Sequence, residues 1–434
     1  MPLPVPVFSS YGSLTEPTGI DLLMEDLGRA FNNDPQMRML GGGNPAAIPS
    51  VQALWRRRMA ELLEDGDSFD RMMVQYDPPG GNPAFLRAMA GLLQQEFGWP
   101  ITPEHLAITP GGQTAFFHLF NLLAGAGRDG GPARRVLLPI VPEYIGYAAQ
   151  GLHRSFFVAT PPVIEDSPDQ NRFRYRIPFD RLPWSEPIGA VCLSRPTNPT
   201  GNVVSDSDLG HLIDLTRERG VPLLVDNAYG LPFPGAVFTE AKPLWDEHVI
   251  LVLSLSKLGL PGTRTGIVVA RPEIASAMRR ITSVSALANN NVGQTMVLPM
   301  IQSGEILKLA KHTIGPFYRD ASARAQGWLD EAMRGAGVDY RVHHSDGAFF
   351  LWLWLRDLRI TTWEFYQRLK ERKVLVVPGR FFSFGLDEPW DHPDQCLRIS
   401  FSQPEQVVRE GMRIIAEEAA RLSKPRAIPA GNLP

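Results

Sequence analysis

Lys257 ends the segment Ser254-Leu255-Ser256-Lys257, which follows the apolar run of residues 249–253, VILVL. A lysine at the end of a buried strand is rare unless paired, and desolvation lowers its pKa, as an amine that condenses with a carbonyl requires. Asp226 follows the run VPLLV in the same way. A carboxylate there is costly unless it meets a cation or a hydrogen-bond donor. Gly111-Gly112-Gln113 follows HLAIT (residues 105–109), with a helix expected from near Thr114. Such a turn offers free backbone N–H groups and a helix dipole to an anion, most simply a phosphate. Ser254 and Arg264 add a hydroxyl and a guanidinium at the neighbouring strand. Alone, each has an ordinary reading: a turn glycine, a cap, a surface lysine. In combination they point to a site.

The elements that must position these residues are short apolar runs alternating with helical stretches. They are residues 105–109, 136–138, 188–193, 221–225, 249–253 and 267–270. Apolar strands alternating with helices indicate a mostly parallel sheet covered on both faces. Ligands of such sheets lie outside the carboxyl ends of the strands. Five polar clusters stand there, including Pro142-Glu143-Tyr144 and Ser194–Gly201, and they converge on one crevice. Asn198, Asp226 and Lys257 follow one another at about 30 residues, the length of one βαβ unit. Beyond about residue 310 the pattern changes. Helical segments at 317–333 and 363–372 surround strands at 349–355 and 396–401, and a helix at 404–422 closes the chain. The expectation is an α/β protein: a large domain of residues 45–314 and a smaller α+β domain of 315–434, joined by an N-terminal arm, 1–44.

Composition excludes several classes. Among 434 residues, Lys+Arg number 43 and Asp+Glu 46, a net charge of −3, without the basic footprint of nucleic-acid binding. Hydrophobic residues are 44% and charged residues 21%, an ordinary globular mix. Two cysteines, Cys192 and Cys396, make neither a disulfide framework nor a thiolate metal site. The start, MPLPVPVFSS, lacks the basic and apolar regions of a signal peptide. The longest apolar run, residues 348–355, falls far short of the ~20 residues that cross a bilayer. A cytoplasmic protein without membrane or nucleic-acid partners is expected. The tail, 424–434, reads as frayed. Trp55-Arg56-Arg57-Arg58 reads as a solvated helix face, since Glu61, Glu64 and Asp65 follow. His343-His344 and His392 with Cys396 complete no ligand set, so no metal is expected. Gly41-x-Gly43-x-x-Ala46 matches a dinucleotide fingerprint, but no strand precedes it and Pro45 interrupts it.

NPTG (Asn198–Gly201), D-x-A-Y (Asp226, Ala228, Tyr229), and S-x-S-K followed by PGxRxG (Ser254–Lys257, Pro261–Gly266) resemble the fold-type I pyridoxal-phosphate (PLP) aminotransferases. The likeness runs over nearly the whole chain. GGGNP at Gly41–Pro45, PEYIGY at Pro142–Tyr147 and DNAYGLPFPG resemble the branch that exchanges valine and pyruvate.

That resemblance implies a cofactor, roles and a partner. Lys257 is expected to carry PLP and, once displaced by an amino acid, to move the proton between substrate Cα and the cofactor. Asp226 is expected to pair with the pyridine nitrogen, Asn198 and Tyr229 with the phenolic oxygen, and Tyr144 to stack on the ring. Gly112, Gln113, Ser254 and Arg264 are expected to bind the phosphate, with Tyr76 arriving from the other subunit of a homodimer whose site lies at the interface. Arg398 is expected to clamp the α-carboxylate, assisted by Asn198 and the backbone at Gly43, with Ile20 of the arm over the side chain. The segment Ser285–Gly293, where relatives donate a residue across the interface, holds three asparagines and no arginine. Small apolar amino acids, valine and alanine foremost, and their 2-oxo acids are therefore the expected substrates. The alternatives are a broader aminotransferase of the 2-aminoadipate-like branch or another PLP enzyme of this fold, such as a β-lyase. A regulator carrying such a domain would need a DNA-binding module, and the roughly 45 residues before GGGNP show no basic helix-turn-helix pattern.

Overall fold

The computed structural model describes residues 36–127, 130–153 and 155–423, with seven isolated positions before residue 36. Ile20 and the tail 424–434 lie outside the described residues. In chain order, β1 (Arg38–Met39) leads to α1 (Pro49–Glu64), α2 (Gly66–Val74) and α3 (Pro83–Phe97). Then come β2 (Leu106–Thr109), α4 (Gly112–Leu123), β3 (Arg135–Leu138), β4 (Phe157–Ala159) and the hairpin β5 (Val163–Ser167) and β6 (Arg172–Arg176). β7 (Ile188–Ser194), α5 (Asp206–Glu218), β8 (Leu223–Asp226), β9 (Val249–Ser254) and β10 (Gly266–Val269) follow. Helices α6 (Pro272–Ser285), α7 (Asn291–Gln302), α8 (Glu305–Leu309) and α9 (Gly315–Gly335) precede β11 (Arg341–His343) and β12 (Phe350–Trp354). The rest is α10 (Thr362–Glu371), β13 (Val374–Leu375), β14 (Val377–Pro378), β15 (Cys396–Ser400) and α11 (Glu405–Leu422).

Seven strands form the larger sheet, in the order β2-β10-β9-β8-β7-β3-β4. All run parallel except β10, which is antiparallel to both neighbours. Successive side chains of a strand point to opposite faces. Leu223, Val225, Leu251 and Leu253 accordingly join Phe85, Leu209 and Met296 in one core, while Leu224, Ile250 and Val252 join Phe116, Phe120 and Met278 in another. Both faces are apolar because helices cover both, which is why these strands read as unbroken apolar runs. Helix α3 starts where Asn82 Oδ1 accepts from the Ala84 and Phe85 N–H groups at 2.9 and 3.1 Å. It ends at Gly98, whose φ of +68° suits glycine.

The second sheet has six strands, β14-β15-β12-β11-β6-β5. The hairpin β5–β6 therefore belongs with the C-terminal strands, although it lies inside the span 45–314. Its tie is ionic as well as a β-ladder: Arg172 makes paired bonds to Asp330 at 3.1 and 2.7 Å, and the Tyr340 hydroxyl donates to the same carboxylate. The basic run also differs from expectation. Arg56 and Arg57 are exposed, but Trp55 is buried and Arg58 is half-buried, its guanidinium reaching Met296 O. Helix α4 begins at Gly112, two residues before the expected start.

Candidate active site

The carboxyl ends of β2, β7, β8 and β9 open onto a cavity of about 400 Å³, bounded on the far side by Gly41, Gly43, Val377 and Arg398. Ten of the expected residues meet there: Gly112, Gln113, Tyr144, Asn198, Asp226, Tyr229, Ser254, Lys257, Arg264 and Arg398. Gly43 joins them from the loop before α1. Tyr76 does not line the cavity and is 83% exposed on this chain.

Lys257 sits in a 3-10 turn, Ser256–Leu258, directly after β9. Buried Trp55 holds that turn, its indole N–H donating to Leu258 O at 2.9 Å. Gly259, at φ +91°, passes close to Trp55 and Val51, so a side chain there meets both strain and contact. The Lys257 ammonium donates to Gly43 O at 2.6 Å and stands 5.3 Å from the centre of the Tyr229 ring. Burial, and then the Arg398 charge, push its pKa down to about 8, against the opposing pull of Asp226.

Asp226 ends β8 with both oxygens engaged. Oδ2 accepts from the Tyr147 hydroxyl at 2.5 Å and Oδ1 from the Ala228 N–H at 2.9 Å. Burial raises its pKa, while these donors and Lys257 oppose the rise. Beside it lies Glu143, wholly buried. The Tyr144 N–H and the Ser194 N–H each donate to it at 2.8 Å, and the Ser194 hydroxyl is a third partner. Burial lifts the Glu143 pKa to about 8.

Arg398, on β15, donates to Asn198 Oδ1 and to Gly41 O, both at 2.7 Å. Its guanidinium lies 4.3 Å from the Phe350 ring and 5.1 Å from that of Phe382. Its Nε is buried without a partner. Burial lowers its pKa to about 10, so it remains a cation at neutral pH.

At the other end of the cavity, Gly111 holds φ +88°, and a Cβ there would stand 2.2 Å from Arg264 Nη2. Glycine is required so that the guanidinium can lie over the first turn of α4. Arg264 reaches only the carbonyls of Pro110 and Pro261, at 3.4 Å, and has no carboxylate partner among the described residues. Gln113 turns its side chain to Gly146 O at 2.8 Å, so its backbone N–H is what it offers an anion. Ser254 Oγ accepts from the Ser256 N–H at 3.1 Å.

Sequence reasoning gave no role to Tyr147, Glu143, Phe350, Phe382 or Val377, although Glu143 stands in one of the five strand-end clusters. Glu143 carries the signal that marked Asp226, a carboxylate after an apolar run, here residues 136–141, although it stands five residues past the end of β3. Tyr147 and Tyr144 are three residues apart across one turn, which brings the two rings to 5.2 Å, edge to face. The Tyr175 hydroxyl, on β6, meets Nε2 of His392, in the turn before β15, at 2.6 Å, and the described residues contain no group of three or more possible metal ligands.

Residues 175–415 match the family of class I and II aminotransferases. Valine–pyruvate aminotransferase of Escherichia coli (strain K12) is 44% identical over 95% of this chain and 98% of its own length. The crystal structure of valine–pyruvate aminotransferase AvtA from Salmonella typhimurium LT2 superposes with a TM-score of 0.84 at 42% identity, over 93% of this chain and 99% of that one. A crystal structure from Psychrobacter arcticum 273-4 superposes with a TM-score of 0.93 at 39% identity, over 96% and 99%.

Proposed function

The chain belongs to the class I and II aminotransferases, and on that premise we propose that it catalyses L-valine + pyruvate = 3-methyl-2-oxobutanoate + L-alanine. The observation that carries the reading is the placement of Lys257, Asp226 and Arg398 around one cavity, with a cationic phosphate pocket at its end.

PLP is the cofactor of this family, and the residues present fit it. A half-buried amine with a lowered pKa, a carboxylate behind it, and a guanidinium without a carboxylate at a helix start match an aldehyde, a pyridine nitrogen and a phosphate. When bound, PLP withdraws electrons from the substrate Cα, so the Cα–H bond can ionise. The residues that would hold it are Lys257 through its amine, Asp226 at the ring nitrogen, Asn198 and Tyr229 at the phenolic oxygen, and Tyr144 at the ring face. Ser254, Arg264 and the first N–H groups of α4, at Gly112 and Gln113, would take the phosphate. Arg398 binds the substrate α-carboxylate in its planar fork, with Asn198 and the backbone at Gly43 beside it. Once the substrate amine takes its place, the freed Lys257 amine would take the proton from the substrate Cα and deliver it to the former aldehyde carbon of the cofactor. Among the described residues of the cavity, the cations besides Lys257 are Arg264 and Arg398, both assigned. A second substrate carboxylate would be buried unpaired, which disfavours aspartate and glutamate.

The working form in this reading is a homodimer with Tyr76 completing its partner's phosphate pocket. Support comes from Tyr76, exposed and without a hydrogen-bond partner among the described residues, and from the exposed apolar side chains of Met73, Val74, Val284 and Leu287. The large unit would comprise residues 45–314 and the small one 315–434 with the arm, β5–β6 serving the small unit's sheet. Ile20 would cover the substrate side chain. The buried free thiols of Cys192 and Cys396 favour a reducing, cytoplasmic location. No helix of the described residues is long and apolar enough to cross a membrane. The test is product analysis: holoenzyme given L-valine and pyruvate forms 3-methyl-2-oxobutanoate and L-alanine in equal amounts. Oxo acid release without alanine would instead indicate a lyase.

A further inference from the structure

We propose that Val377 sets the size of the amino acid side chain that the site accepts. In the antiparallel pair β14–β15, Val377 stands directly opposite Arg398. Opposed residues share one face of the sheet, with Cβ atoms roughly 4.5–5.5 Å apart. Both line the cavity, so the isopropyl group belongs to the same stretch of cavity wall as Arg398. The other neighbours of Arg398 are committed. Phe350 and Phe382 lie against its guanidinium, and Asn198 and Gly41 accept two of its N–H groups.

The inference rests on Arg398 anchoring the α-carboxylate. An amino acid held there has its Cα one bond from the anchored carboxyl carbon, with its amine directed to the Lys257 side. The side chain branching from that Cα then runs along Val377. Val377 has little room to yield, being 2% exposed and fixed by β-pairing next to Pro378. An aliphatic wall at this point accepts methyl and isopropyl groups and crowds longer ones.

Val377→Ala and Val377→Leu holoenzymes test this, with kcat/KM measured for alanine, valine and leucine at fixed 2-oxobutanoate. One methylene in an apolar pocket is worth about 10- to 200-fold. Val377→Ala should therefore raise leucine relative to valine by about tenfold or more, and Val377→Leu should depress valine by about tenfold while alanine changes little. Dissociation constants of propanoate, 3-methylbutanoate and 4-methylpentanoate should shift in the same order, which does not depend on turnover. Unchanged ratios in both series would overturn the assignment. Wild-type protein inert toward alanine and valine would sink the functional reading instead, and the carboxylate series would still decide for or against Val377.

Discussion

The Tyr147 hydroxyl donates to Asp226 Oδ2 across 2.5 Å, joining the segment after β3 to the carboxyl end of β8. Tyr147 is itself wholly buried, its ring 4.9 Å from that of Phe116 and 5.2 Å from that of Phe120. With the Ala228 N–H on Oδ1, it fixes the orientation of the Asp226 carboxylate. It also steadies the ionised carboxylate in a place where burial alone favours the protonated acid.

Tyr147→Phe keeps the ring packing and removes this donor. A hydrogen bond to a charged group is worth about 1.5–3 kcal/mol, so the proton-transfer step should slow by roughly 10- to 100-fold. Cofactor affinity should fall with it, while KM for the amino acid changes little. Single-turnover kinetics and cofactor titration report the two effects separately. An unchanged single-turnover rate would show that Asp226 needs no such support.

Lys257 should leave a mark on the apoprotein's stability. Its folded pKa of about 8 lies below the ordinary 10.5. Between those values the unfolded chain binds the proton more tightly, so stability from this group rises with pH across that window. It is lost as pH falls back through 10.5 toward 8. Urea denaturation of apoprotein at pH 8 and 10 measures the effect against Lys257→Ala. The variant should show a flatter profile and should lose the visible band of lysine-bound cofactor. An equal pH dependence in both proteins would contradict the buried, destabilised ammonium.

His343 predicts acid sensitivity elsewhere in the fold. The Tyr175 N–H donates to His343 Nε2 at 3.1 Å, and Nδ1 faces His344 O at 2.7 Å, which requires the neutral ring. Burial lowers its pKa to about 3, and that of His392 to about 4. Both lie below the ordinary 6.5, so their stabilising effect is full above that pH and drains as pH falls toward 3. His343→Gln retains an acceptor for Tyr175 and cannot titrate in this range. Its denaturation midpoint should fall less between pH 7 and pH 4 than that of the wild type. Parallel profiles would place the acid sensitivity in other groups.

The large sheet and most of the site were legible because strand ends mark themselves. Asp226, Lys257 and Gly112 stand out as polar or flexible residues after apolar runs, and an open parallel sheet brings such ends together. Other features depend on partners distant in the chain. The hairpin β5–β6 reads locally as two strands, but nothing in VIEDS or RFRYR says that its neighbour is β11, 170 residues on. Trp55 hides in a basic run because its burial comes from Leu258 O, 203 residues away. Phe350, Phe382 and Val377 look like ordinary core residues until the strand register and the turn after β14 set them around Arg398.

The central claim, amino transfer from small apolar donors at the Lys257 site, is most directly tested by the half-reaction of holoenzyme with single amino acids. Stopped-flow absorbance should show L-valine and L-alanine each converting the cofactor fully to its amine form, and pyruvate restoring the original spectrum. Aspartate and glutamate should react at least tenfold more slowly, for want of a second cation. Aspartate or glutamate exceeding valine and alanine by tenfold, or a spectrum that pyruvate fails to restore, would contradict the account.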